Sequence, residues 1–201
     1  KNDSGLFSQK FYIVPGEIPE PGGDLPQEGD QVVLYNFSSK GVLAGQDDNA
    51  ESPSITNAAA TIADGAATPA NGGVVFTVEK NGEYYRFYNE TYGYLCSNGT
   101  GNNAFYQVEA TEDADWTLAV QGSGYTLESR TAKFNDRYSQ YLEYYGGTYK
   151  TYSMYNVTDY TIYSFSFYPV GPGTISDGVV NNPAVVLGDL PYAYVGTDYS
   201  F

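Results

Sequence analysis

Apolar and polar residues alternate in short runs along much of the chain. Val32 and Leu34, Phe76 and Val78, Tyr85 and Phe87, Trp116 and Leu118, Tyr125 and Leu127, and Phe165 and Phe167 each stand two apart. A spacing of two puts both side chains on one face of a strand. No stretch holds apolar residues at i, i+3, i+4 and i+7 over three turns, and only Ala58 to Ala67 suggests one short helix. The pattern predicts an all-β chain.

The strand pattern repeats. Phe76-Thr-Val78 is followed by Gly82, Trp116-Thr-Leu118 by Gly122, and Phe165-Ser-Phe167 by Gly171. In each, the aromatic, the apolar residue two later and the Gly six later keep one spacing, as a strand closed by a turn requires. New strands open in step, with Val32, Leu34 and Asn36, then Tyr85, Phe87 and Asn89, then Tyr125, Leu127 and Ser129. A second strand follows in each copy with a shared pair, Val42-Leu43, Tyr94-Leu95 and Tyr141-Leu142. Three copies, about 31–82, 83–122 and 123–171, predict a closed architecture with threefold pseudosymmetry.

The set Val32-x-Leu34-x-Asn36, Gly41-Val42-Leu43 and Phe76-x-Val78, recurring twice more, resembles the β-trefoil of ricin-B-type lectin modules. The resemblance covers residues 31–171. It implies a carbohydrate-binding ancestry, with one departure: such lectins place a Gln two residues before the closing aromatic, where this chain has Val74, Ala114 and Tyr163. Inherited galactose binding is therefore not implied, and a fold alone licenses no function. An immunoglobulin-like β-sandwich is the alternative, since it too spaces short strands about 8 to 12 residues apart.

The two ends also match each other. Leu6, Phe7, Ser8, Phe11, Tyr12 and Val14 fall on Ile162, Tyr163, Ser164, Phe167, Tyr168 and Val170, and GDLP occurs at Gly23 to Pro26 and at Gly188 to Pro191. Residues 1–14 are expected to be the last strand of a preceding unit and 15–30 a linker. Residues 172–190 are expected to be a second linker and 191–201 the opening of a following immunoglobulin-like domain. The array looks like secreted, modular surface proteins of Gram-positive bacteria, which implies an extracellular or cell-surface location and neighbouring domains of the same chain as partners.

Composition narrows the chemistry. The 201 residues carry 24 acidic and 9 basic side chains, a formal net charge of −15, so a groove tracking nucleic-acid phosphates is not expected. With no His, triad chemistry and imidazole metal sites are excluded. One Cys excludes an internal disulfide, and Cys96 reads as a small buried hydrophobe. No apolar run approaches 18 residues, so membrane insertion is not expected. No cofactor is expected either.

Tyr, with 22 residues, is the strongest candidate for ligand contact. A sugar's C–H face stacks on an aromatic ring while a phenol hydroxyl reaches its edge. The third copy is richest in Tyr, and Gly146-Gly147 predicts a hairpin there. An exposed rank of Tyr145, Tyr149 and Tyr152 near that turn would form a stacking platform, half-buried cross-strand pairs being the other reading. Asp47, Asp48 and Asn49, in one acidic loop, would offer oxygens to a glycan; that loop and a second with Glu112, Asp113 and Asp115 would also offer oxygens to calcium, solvated loops being the other reading, since neither has EF-hand spacing. Paired carboxylates such as Glu128 and Glu143 are the remaining catalytic route. The expected function is a non-catalytic accessory module that binds a glycan or cell-surface polysaccharide; the alternative is a ligand-free spacer or protein-interaction repeat attached to a hydrolase outside this chain.

Overall fold

A computed structural model describes residues 25–47, 54–98, 102–155 and 157–170, together with the backbone of a short ladder at 175–176 and 179–180. The expected preceding strand, the following domain and most of both linkers lie outside the described residues.

The first copy contains β1 (Gln31–Asn36), β2 (Gly41–Asp47), β3 (Ser54–Ala63), β4 (Ala66–Pro69) and β5 (Phe76–Asn81). The second contains β6 (Tyr84–Asn89), β7 (Gly93–Ser97), β8 (Ala104–Gln107) and β9 (Trp116–Gln121). The third contains β10 (Gly124–Phe134), β11 (Tyr138–Tyr145), β12 (Thr148–Ser153) and β13 (Phe165–Pro169).

Six of these strands close a ring. β1 pairs with β5, β5 with β6, β6 with β9, β9 with β10, β10 with β13, and β13 with β1, all antiparallel. The hairpins β2–β3, β7–β8 and β11–β12 extend from one end of this barrel. Closure leaves the barrel strands no free edge, unlike the two open sheets of an immunoglobulin-like sandwich.

The register repeats with the fold. Within each copy the first apolar residue of the opening strand stands opposite the closing aromatic: Val32 and Phe76, Tyr85 and Trp116, Tyr125 and Phe165. Between copies, Leu34 faces Phe167, Phe87 faces Val78, and Leu127 faces Leu118. All but the part-buried Tyr85 and Leu118 are buried in one core cluster. Phe87 and Phe167 stack at 5.6 Å, and the Trp116 indole donates to the Leu95 carbonyl at 2.9 Å. The expected turn glycines Gly82 and Gly122 have φ of 63° and 61°, a conformation few other residues adopt.

Two copies share a polar clamp. The Asn36 amide donates to the carbonyls of Ile162 and Ser164, and its oxygen accepts from the Ser38 and Ser39 backbones. Asn89 donates to the Val75 carbonyl and accepts from the Thr91 and Tyr92 backbones. In the third copy Ser129 is too short for this. There β10 runs on past the barrel, its register with β11 shifting between Glu128 and Lys133, and turns at Asn135 and Asp136.

The short helix expected at Ala58 to Ala67 does not form. Ala58 to Ala63 belong to β3 and Ala66 to β4, joined through Asp64 and Gly65, both at positive φ. Asp-Gly is a strong two-residue hairpin signal, and pairing outweighs the helix propensity of alanine here. The small side chains have a packing reason. Ala58 and Ala67 join Val33, Val42 and Ala44 in a second cluster, against which Tyr35 and Tyr168 pack.

Candidate functional site

The two departures from threefold symmetry do different things. In the first copy, the β3–β4 hairpin covers the row Tyr35–Val42–Ala58 with the second apolar cluster. In the third copy, the long β10–β11 hairpin adds aromatic and basic side chains beside β12.

The β11–β12 hairpin turns at Gly146 and Gly147, with φ of 65° and 91°, the geometry of a two-residue turn with both central residues left-handed. Its register sets Tyr144 opposite Tyr149, Glu143 opposite Lys150, Leu142 opposite Thr151 and Tyr141 opposite Tyr152. Strand alternation then divides the side chains. Leu142, Tyr149 and Thr151 point into the core; Tyr141, Glu143, Tyr145, Lys150 and Tyr152 lie on the opposite face.

This corrects the expected platform. Tyr145 is 63% exposed but Tyr149 is only 1% exposed. The Tyr149 ring packs on Tyr144 and Phe165, and its hydroxyl donates to Asn57 at 2.7 Å and shares a 3.0 Å hydrogen bond with Ser39. Burial pushes its phenol well above the ordinary range. It holds the cap together and is closed to a ligand. Tyr152 is half-buried, its ring 5.4 Å from Phe134.

Around Tyr145 the face is polar and charged. The Lys150 ammonium lies 5.6 Å from the Tyr145 ring centroid. Glu143 is 5% exposed; burial raises its carboxyl above the ordinary value, opposed by the Tyr163 hydroxyl and by Lys150. Glu128 accepts from the Tyr141 hydroxyl at 3.2 Å and lies 3.7 Å from the Lys133 ammonium. Further along, the Arg137 guanidinium stacks 5.1 Å over Tyr138, whose ring lies 5.1 Å from Tyr155. Among the described residues the exposed aromatics are Tyr145, Tyr155 and Tyr160, at 63%, 60% and 44%, and all belong to the third copy.

The acidic loops divide. Asp47 is exposed at the end of β2, while Asp48 and Asn49 lie outside the described residues. The second loop is a structural latch. Asp115 is fully buried and takes hydrogen bonds from Arg86, Arg130 and Asn81. Glu112 pairs with Arg130 at 2.7 Å, and Asp113 accepts from the Thr131 hydroxyl at 2.6 Å. These oxygens are directed at cations and a hydroxyl of the protein itself. No three acidic or thiol side chains among the described residues are grouped to hold a metal ion. Sequence reading missed this latch because its arginines come from β6 and β10, brought together only by the fold.

At the other end of the barrel a cleft of about 810 Å³ opens between Leu25, Pro26, Asp30, Val32, Phe167 and Tyr168. The positions of the missing lectin Gln are buried, with Val74 3%, Ala114 0% and Tyr163 1% exposed.

No protein-family model matches the chain, and no curated protein is similar to it. Solved structures are. An endo-β-galactosidase from Clostridium perfringens that releases GlcNAcα1-4Gal aligns with a TM-score of 0.54 at 13% identity, over 71% of this chain and 33% of that one. The β-trefoil BEL aligns with a TM-score of 0.52 at 12% identity, over 75% of this chain and 99% of that one. A Polyporus squamosus lectin, solved with the epitope Neu5Acα2-6Galβ1-4GlcNAc, aligns with a TM-score of 0.50 at 16% identity, over 71% and 50%. This chain thus spans about a third of the galactosidase, half of the Polyporus lectin and almost the whole of BEL. At such identities the likeness is one of fold. With six strands closed in a ring, three hairpins at one end and a register that repeats three times, residues 31–170 form a β-trefoil.

Proposed function

We propose that this β-trefoil is a non-catalytic carbohydrate-binding module of an extracellular multidomain protein, and that the glycan lies on the outer face of the third copy. One observation carries this reading: the exposed aromatic rings of the described residues are gathered in that copy, beside charged and hydroxyl groups. A rigid ring with a wet hydroxyl edge suits a sugar's C–H face. Tyr145 stacks the sugar, with the Lys150 ammonium beside it to bond hydroxyls. The module would raise the local concentration of its neighbours on a polysaccharide surface.

The lectin among the similar folds supports the reading by analogy of fold. The second reading, a spacer without a ligand, is favoured by the deep burial of Tyr149 and Tyr163. A glycan-array screen of the intact chain, run beside Tyr145→Ala, separates the two. Binding that falls at least tenfold in the variant supports the module. Silence from folded protein leaves the spacer.

A further inference from the structure

The chain has three arginines, and the structure gives them two kinds of surroundings. Arg86 and Arg130 are both committed to the buried Asp115. Arg137 carries no side-chain hydrogen bond or ion pair among the described residues; its guanidinium rests only on the Tyr138 ring, 5.1 Å from the centroid. The turn that presents it, Asn135 and Asp136, has φ of 52° and 53°, and the Arg137 backbone N–H donates to the Phe134 carbonyl. Tyr138 is in turn backed by Tyr155, 60% exposed, with the ring planes 31° apart.

The charge of the third copy differs from that of the rest. Residues 123–171 hold four cations (Arg130, Lys133, Arg137 and Lys150) and four acids (Glu128, Asp136, Glu143 and Asp159), for a formal charge of zero. The acidic excess of the chain lies elsewhere, and at physiological salt charges act over only about 8 Å. An anion approaching Arg137 therefore meets chiefly the charges within that range, of which the neighbouring exposed Asp136 is one.

We propose that Arg137, Tyr138 and Tyr155 form a subsite for a carboxylated sugar, a hexuronic-acid residue of the glycan. This rests on the glycan reading above and names the class of sugar. A guanidinium already stacked on a ring keeps its outer N–H fork free for a carboxylate, which it meets through two parallel hydrogen bonds. Tyr155 would carry the pyranose ring. No neutral sugar uses that fork as fully.

The test compares oligosaccharides as matched pairs, each uronate against its carboxyl-reduced neutral counterpart, in the galacto, gluco and manno series. Titration of the intact chain and of Arg137→Gln and Arg137→Lys reads the preference. The expected result is a uronate bound about tenfold more tightly than its neutral partner in one series, in keeping with a charged hydrogen bond. Arg137→Gln should erase that preference while leaving neutral binding in place, and Arg137→Lys should keep only part of it. Equal binding of both members, or a preference that survives Arg137→Gln, overturns the subsite but leaves the glycan reading standing. Binding of neither member by protein that binds another glycan on the array overturns the subsite alone; binding of no glycan at all by folded protein overturns both.

Discussion

Asn36 and Asn89 occupy the same place in successive copies, each bonding a carbonyl just before the closing strand that its own strand pairs with. Ser164 precedes Phe165 as Val75 precedes Phe76, so each amide pins an opening strand to the closing strand of the neighbouring copy. Asn36 is wholly buried and makes four hydrogen bonds, two as donor and two as acceptor, so it is unsuited to be a glycosylation acceptor despite its Asn-Phe-Ser sequence.

Removing the clamp should cost stability. Asn36→Ala leaves buried backbone groups unpaired and is expected to cost about 2–3 kcal/mol; Asn89→Ala, less buried, about 1–2 kcal/mol. The single tryptophan, Trp116, is fully buried, so its fluorescence in a urea titration reports the loss.

Asp115 should be more sensitive still. Desolvation would raise its carboxyl, but the hydrogen bonds from Arg86, Arg130 and Asn81 outweigh it and hold the group below the ordinary carboxylate value. A depressed folded value contributes stability that is present above the unfolded value and lost as pH falls through the folded one. Asp115→Ala leaves two arginines facing an empty site and is expected to destabilise by about 3–5 kcal/mol. The variant should also lose part of the acid-limb dependence of the melting temperature.

Glu143 has the opposite sign. Its raised carboxyl means that the folded state binds the proton more tightly, so the ionised group costs stability once pH rises through the folded value. Glu143→Gln, which keeps the shape and a group for Tyr163 to bond, is expected to melt higher than the parent at neutral pH. The gap should close as pH falls toward the ordinary carboxylate value. A calorimetric pH series on both proteins checks it.

The two tyrosines flanking the Gly-Gly turn should separate stability from binding. Tyr149→Phe loses the bonds to Asn57 and Ser39 and is expected to cost about 1–2 kcal/mol. It should leave glycan affinity unchanged at temperatures where it is folded. Tyr145→Ala should behave the other way, folding like the parent and binding weakly.

The threefold plan was legible because each closing aromatic, its partner two residues on and its turn glycine are local in sequence. Phe76, Trp116 and Phe165 could be aligned without knowing what they touch. The cap was harder. Alternation in β12 sets Tyr149 and Tyr152 on opposite faces but does not say which face the neighbouring hairpins cover. Tyr149 is buried because β3 crosses it at Ile55. The Asp64-Gly65 turn was readable but hidden behind a run of alanines that favour helix. The Asp115 latch joins residues 15 to 34 apart and the Tyr138–Tyr155 pair residues 17 apart, a reach that periodicity does not describe.

Amide chemical shifts mapped with a bound oligosaccharide locate the glycan face of the β-trefoil. With a glycan taken from the array, binding on the third copy shifts only the amides of that copy, centred on Tyr145, Lys150 and the Arg137 turn, with β6 and β7 unmoved. Shifts centred instead on Tyr88 and Tyr94, on the cleft beside Leu25, or nowhere at saturating glycan would contradict it.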